Sequence, residues 1–391
     1  MRQTSAADII APTSCPRPKQ PASLECSAFD ARLAVALHSV DKMNQRDNLL
    51  RAVRFETPDT IPMVFHINPA CWQHYPHDAL QELIADHPLL FPGFTPLASV
   101  SPDLSPVQRK DQPYLDPWGC LWRTSEDGIT GMVTEHPLAS WNAFAAYRPP
   151  DPEKTDGLFA VDWDEVAQAM RTDKAAGNLV QATLRHGHTF LQLCDLRGYQ
   201  SLMFDMADEE PRLWRLIGML EEFNLAVVER YVAAGAEWMS YPDDLGMQIG
   251  PMISPAHFRK YITPSYRRLM RPALESGCIV HMHSDGDIRL LVDDMVGSGV
   301  QVVNLQDLVN GIDWIAGRFA GKVCIDLDVD RQEITPKGRP EDIDALIREE
   351  VEKLGRREGG LMMIYGLYPG VPLRNVRALM DAMETYAAYY S

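Results

Sequence analysis

Four segments in the second half of the chain each run from apolar residues into a cluster of proton-carrying side chains. They are Met239-Ser240-Tyr241-Pro242-Asp243-Asp244, Ile279-Val280-His281-Met282-His283-Ser284-Asp285-Gly286, Val303-Asn304-Leu305-Gln306-Asp307 and Val323-Cys324-Ile325-Asp326-Leu327-Asp328. Between such segments lie stretches with apolar residues at helical spacing, as in Leu213, Leu216, Leu220, Phe223 and Val227. Strands that repeatedly end in polar clusters, joined by amphipathic helices, specify βαβ units. A parallel sheet built from these carries its chemistry at the C-terminal ends of its strands. The expectation is an α/β fold, a (β/α)8 TIM barrel, with an enzyme's active site at its mouth.

Composition narrows the function classes. Of 391 residues 46% are hydrophobic, enough for one large core, and a barrel needs roughly 250 residues. Lys and Arg number 37 against 54 Asp and Glu, a formal charge of −17, which repels phosphate backbones and anionic membrane surfaces. No nucleic-acid or membrane role is expected. The chain has no apolar run near the roughly 18 residues of a membrane span and no secretory h-region, so a cytoplasmic location is expected. Seven scattered cysteines without CxxC spacing suggest reduced thiols, with neither a disulfide framework nor a zinc knot.

Residues 1–42, with Ala11-Pro12-Thr13-Ser14-Cys15-Pro16-Arg17-Pro18, read as a flexible, disordered N-terminal tail before a single barrel domain over 43–391. An amphipathic helix over 44–53 precedes a first strand at Ile61–Phe65 that ends in His66-Ile67-Asn68. Around the Glu126-Asp127-Gly128 turn, residues 114–137 read as a β-hairpin inserted near the barrel mouth, the expected gate for an approaching partner. Helix and strand then alternate from Asp162 to Tyr390. Glu237, at the start of its strand, is expected in a salt bridge at the closed end of the barrel.

Several short motifs carry a resemblance: Arg46-Asp47-Asn48-Leu49-Leu50-Arg51-Ala52, Asp116-Pro117-Trp118-Gly119, Pro242-Asp243-Asp244-Leu245-Gly246 followed by Ser254-Pro255, His283-Ser284-Asp285-Gly286 and Val371-Pro372-Leu373-Arg374-Asn375-Val376. In their order and spacing the chain resembles the uroporphyrinogen decarboxylase superfamily from about Asn44 to Tyr390, and is more similar to its corrinoid-linked methyltransferase relatives than to true decarboxylases. The resemblance implies a (β/α)8 barrel. It also implies transfer of a methyl group from a small O- or N-methylated donor to a corrinoid on a separate protein, with dimers common. True decarboxylases carry an arginine-rich loop after the first strand; here that place holds His66-Ile67-Asn68-Pro69-Ala70-Cys71-Trp72-Gln73-His74-Tyr75, without arginine. The thiol-methylating branch holds zinc with a His-x-Cys pair and a later Cys. In this chain the pair becomes His283-Ser284-Asp285 and the later position falls at or near Leu367.

Site residues follow from strand parity. His281, His283 and Asp285 share one face if their strand extends that far, and form the expected set for zinc or another divalent metal. Asp243, His283, Asp326 and Tyr241 are the expected catalytic groups. For Asp243 and Asp244 the competing reading is a helix cap or surface turn. His66, Asn68, Asn304 and Gln306 are expected to orient substrate, and Trp72, Trp118, Trp122 and Tyr365 to form an aromatic wall, with core or lid packing as the alternative. Two other functions stay open: a cofactor-free decarboxylase, for which Arg123, Arg185 and Arg197 are the nearby basic residues, and a non-catalytic ligand-binding barrel.

Overall fold

The computed structural model describes residues 39–390. The apolar segments become seven strands: β1 (Met63–Ile67), β2 (Gln181–Thr183), β3 (Trp238–Ser240), β4 (Ile279–Ser284), β5 (Val302–Gln306), β6 (Cys324–Asp328) and β7 (Leu361–Leu367). Every pairing among them is parallel, in the order β1-β7-β6-β5-β4-β3-β2. The curled sheet therefore has the cyclic order of a barrel opened between β1 and β2. Eight strands were expected, and the described residues supply seven. The gap falls where residues 68–180 intervene, a stretch of short helices, turns and proline-rich segments such as Arg148-Pro149-Pro150-Asp151-Pro152 that removes the N–H donors a ladder needs.

Helices cover the outside of the sheet, so its central strands are buried on both faces; β5 and β6 are buried at all five positions. That burial includes Asn304, Gln306, Asp326 and Asp328, whose polar atoms must find partners inside the protein. The expected hairpin is present with an added strand: Tyr114–Leu115, Leu121–Arg123 and Met132–Glu135 form a small antiparallel sheet. Its turn at Gly128 has φ +89°, and a Cβ there would lie 2.3 Å from the backbone nitrogen of Ala70. Glycine thus lets the turn dock directly on the loop that follows β1.

One end of the sheet is closed by the helix Ser39–Arg54, which starts before the expected boundary at 43. Its Leu50 and Val53 pack on Trp238, Ile279, Val302 and Cys324, the first residues of β3, β4, β5 and β6. Arg46 on this helix pairs with Glu237 at 2.6 Å, the salt bridge expected at the closed end. The remainder of the expected N-terminal tail lies outside the described residues. Of the cysteines, Cys71, Cys120, Cys194, Cys278 and Cys324 are free and buried. No helix is long and apolar enough to cross a membrane.

Candidate functional site

Beyond the last residue of β3 the chain keeps pairing with β4: Tyr241 N–H donates to His281 O (2.8 Å), Asp243 N–H to His283 O (3.0 Å) and Gly246 N–H to Asp285 O (3.1 Å). The two motif turns then meet backbone to backbone. Gly286 has φ +80°, and a Cβ on it would stand 2.2 Å from the carbonyl carbon of Gly246, while a Cβ on Gly246 would stand 2.5 Å from that of Gly286. No side chain fits at either position. This close approach puts Asp244 beside His283, and Asp244 Oδ1 also accepts the Asp285 N–H at 2.9 Å.

His283 is the hub of the mouth. Its Nε2 lies 3.4 Å from Asp244 Oδ1 and 3.6 Å from Asp285 Oδ1. Its Nδ1 contacts the side-chain oxygen of Asn304, whose amide nitrogen donates to the carbonyl of Asp326 at 2.6 Å. An amide already donating through nitrogen can only accept through oxygen, so Nδ1 carries the proton and Nε2 is left as the working atom. Burial opposes charge on the imidazole, but the Asp244 hydrogen bond and the Asp285, Asp244 and Asp328 carboxylates outweigh it and raise His283 to about 9. Asp244 experiences the converse: burial would raise it, yet bonds from His186 and His283 hold it well below the usual carboxylate range. His186, whose ring centroid is 5.6 Å from that of His283, reaches Asp244 Oδ1 at 3.5 Å.

The other side of the mouth is set by Arg331. It bonds Asp285 Oδ1 at 3.1 Å and Asp328 Oδ2 at 2.6 Å, and lies over the Tyr368 ring at 5.8 Å from its centroid. Asp328 is pushed up to about 7 by burial, despite the nearby Arg331 and His283 charges. Two overlapping groups thus bring possible metal-ligand atoms within 4.8 Å of one another: His186, Asp244 and His283; and His283, Asp285 and Asp328.

The sequence-derived site is rearranged in several places. His281 belongs to neither group: its Nδ1 meets Ser240 Oγ (2.7 Å), its Nε2 meets Asp326 Oδ2 (3.1 Å), and Trp238 covers the ring. Sharing strand parity with His283 placed it on the same face but one layer deeper. Asp326 is buried in that pair rather than exposed at the mouth. Asp243 is fully buried and accepts the N–H groups of Phe190 (2.7 Å) and Leu191 (3.0 Å) and the Tyr266 hydroxyl (2.8 Å). It caps the helix Phe190–Arg197, the alternative raised for it from the sequence, and burial pushes it up to about 6. Tyr241 is buried with its hydroxyl on Leu269 O (3.1 Å), and burial raises it far above the ordinary phenol.

Trp72 and Trp118 are core residues, the latter edge-on to Phe223. Tyr365 is also buried, against Phe65 and Thr335. The expected aromatic wall is therefore packing. Gln306 accepts the Gly286 N–H (2.9 Å), so it braces the turn, and Asn68 accepts the Ala70 N–H (2.9 Å) at the end of β1. His66 is half-buried on β1 opposite Gly366 of β7. Sequence reasoning missed His186 and Arg331. His186 lies in Arg185-His186-Gly187-His188 just past β2, a polar strand end like the other four; Arg331 lies three residues past the end of β6, where strand parity no longer applies.

Comparison with known proteins gives a consistent picture. The model of the family described as uroporphyrinogen decarboxylase (URO-D) matches residues 117–386. Uroporphyrinogen decarboxylases from two strains of Thermus thermophilus are each 28% identical over 186 residues, 46% of this chain and 50% of theirs. The chain thus spans about half the length of the curated relatives it matches. The solved structure of a methyltransferase from Methanosarcina mazei is similar over 89% of this chain and 99% of its own, with a TM-score of 0.58 at 16% identity, a likeness of fold.

Proposed function

The chain belongs to the uroporphyrinogen decarboxylase family, and from that premise we propose that it is one of the family's methyl-transferring members. It would take a methyl group from a small O- or N-methylated substrate held in the mouth and deliver it to a corrinoid on a partner protein. The observation that carries this reading is His283 Nε2, set by Asn304 and flanked by Asp244 and Asp285 at an open strand end. A demethylation needs one such atom, because the heteroatom keeps the bonding pair as the methyl group leaves and its new charge must be met.

The mouth fits a divalent metal with a different ligand set from the one expected. Asp285 and Asp328 are already engaged by Arg331, whereas His186, Asp244 and the Nε2 of His283 form a two-histidine, one-carboxylate group typical of catalytic zinc. An ion there would supply Lewis acidity to the departing heteroatom. The chain's own residues do the rest. Asn304 keeps Nε2 turned to the mouth, and the Gly246–Gly286 contact fixes the distance to Asp244.

A polycarboxylate substrate is poorly served. Arg185 is bound to Asp195 at 2.9 Å, Arg197 to Asp205 at 2.8 Å, and the loop after β1 has no arginine. With the unused edge of Arg331 as its one clamp, a multiply charged anion would leave its remaining charges desolvated and unpaired, at a cost of several kcal/mol per ion. Decarboxylation of a smaller acid is the second reading, supported by the names of the curated relatives and by the charged imidazole of His283 as a proton donor.

The test is metal content of protein purified without chelator, for wild type and His283→Ala, followed by demethylation of methoxylated compounds with a corrinoid protein as acceptor. About one ion per chain, lost in the variant, with methyl transfer abolished, is the expected result. No ion in either protein removes the metal and leaves His283 as a proton donor; carbon dioxide release without methyl transfer removes the reading.

A further inference from the structure

Arg331 is held in an unusual way. Both of its hydrogen bonds leave from Nη2, to Asp285 and Asp328. Two carboxylates therefore fix one corner of the guanidinium, and no hydrogen bond to the described residues uses Nη1 or Nε. The side chain is 21% exposed at the mouth. Beside Nη1 the neighbouring strand is bare: a Cβ on Gly366 would lie 3.7 Å from Nη1 and 3.5 Å from the Tyr368 ring, ordinary contact distances. Tyr368 itself is 43% exposed. A guanidinium fixed in place with unused N–H groups, next to a partly exposed tyrosine and a strand position without a side chain, has the chemistry of carboxylate recognition.

We propose that Arg331, Tyr368 and the gap at Gly366 form a subsite for a carboxylate on the methyl donor, so that the substrates are small, planar methylated compounds carrying one carboxylate. The identity of the methyl group rests on the reading above; the carboxylate subsite does not. Asp285 links the two halves, touching Arg331 at 3.1 Å and lying 3.6 Å from His283 Nε2. A substrate anchored at Arg331 thus projects its other end toward the atom that handles the leaving heteroatom. The nearby acids do not forbid an anion. Arg331 already pairs with Asp285 and Asp328 from one corner of its guanidinium.

The experiment is calorimetric titration of 4-methoxybenzoate and its neutral amide into wild type, Arg331→Gln, Arg331→Lys and Gly366→Leu, with inorganic phosphate as a competing anion. Wild type should bind the acid at least about tenfold more tightly than the amide, as a charge-assisted bond provides. Arg331→Gln should lose that preference while binding the amide unchanged, Arg331→Lys should keep part of it, and Gly366→Leu should weaken both ligands by filling the gap. Equal binding of acid and amide, a preference that survives in Arg331→Gln, or no binding of either overturns the subsite. Phosphate competing as well as the acid would make it a general anion site and overturn the substrate class. Loss of methyl transfer with the preference intact would count against the methyl-transfer reading alone.

Discussion

Asn304 decides what His283 can do. Its amide has one orientation, fixed by donation to the Asp326 carbonyl, and that orientation makes it an acceptor for Nδ1. Replacing it with alanine leaves Nδ1 free to choose either tautomer and the ring free to turn. Partners of this kind are typically worth 10–100-fold in metal affinity. For Asn304→Ala we expect affinity for the proposed ion to fall by roughly that factor, and, above pH 9 where the ring is neutral, the nitrogen-15 shifts of His283 to change from a single Nδ1–H form to a mixture of tautomers. Unchanged shifts would mean that Asn304 merely fills space. His283 and Asp285 were legible in the sequence because they sit at the C-terminal end of β4, and Asn304 because β5 carries polar residues at alternate positions from there on. His281 obeys the same parity and yet sits one layer down against Trp238, because parity fixes a face but not a depth. Asp243 and Asp244 are adjacent and chemically identical; which one capped a helix depended on the position of Phe190, far away in the chain.

At the level of elements, the loops after β5 and β6 are pinned by buried acids. Asp307 follows β5 and accepts the Asp330 N–H (2.9 Å); Asp330 in turn accepts the N–H groups of Ile334 (2.6 Å) and Thr335 (3.1 Å). Glu350, on the helix Pro340–Leu354, is fully buried beside Asp307, and the Asp330 and Glu349 carboxylates also act against its charge. Burial raises both Asp307 and Glu350, Glu350 well above the ordinary acid. A raised acid contributes stability in its protonated form, fully present below its unfolded value and lost as pH rises through its folded value. Wild type should therefore lose melting temperature between mildly acidic and alkaline pH, and Glu350→Gln, neutral at every pH, should flatten that decline. A parallel decline in both proteins would locate the titration elsewhere, in His283 or Asp328. The long amphipathic helices here were readable from their 3.6-residue period. Phe190–Arg197 was not, because it is short and buried nearly all round, and nor was Tyr199–Ala207, a nine-residue helix with only Leu202, Asp205 and Met206 buried.

The whole molecule divides its work between two ends. Ser39–Arg54 seals the N-terminal ends of the strands with Leu50 and Val53, and the His283 cluster sits at the opposite ends. Leu50→Ala should cost about 2–4 kcal/mol in chemical denaturation, and should leave metal content and ligand binding at the mouth as in wild type. A loss of metal with a small loss of stability would show that the two ends are coupled. The cyclic strand order was legible from the repeated strand-to-polar pattern. The gap between β1 and β2 was not, because a missing strand leaves no signal beyond irregular, proline-rich sequence that also suits an ordinary insertion.

The contact between Gly246 and Gly286 has a bearing on how such a protein can diversify. Each glycine is required by the other's backbone, so neither can be replaced alone, and a compensating change would have to shift two strands at once. The pair acts as an evolutionary lock on the spacing of Asp244 and His283. Gly366 and Tyr368 are under no such mutual constraint. New substrates would accordingly be acquired by varying the far rim of the mouth, while the chemistry beside the lock is inherited unchanged.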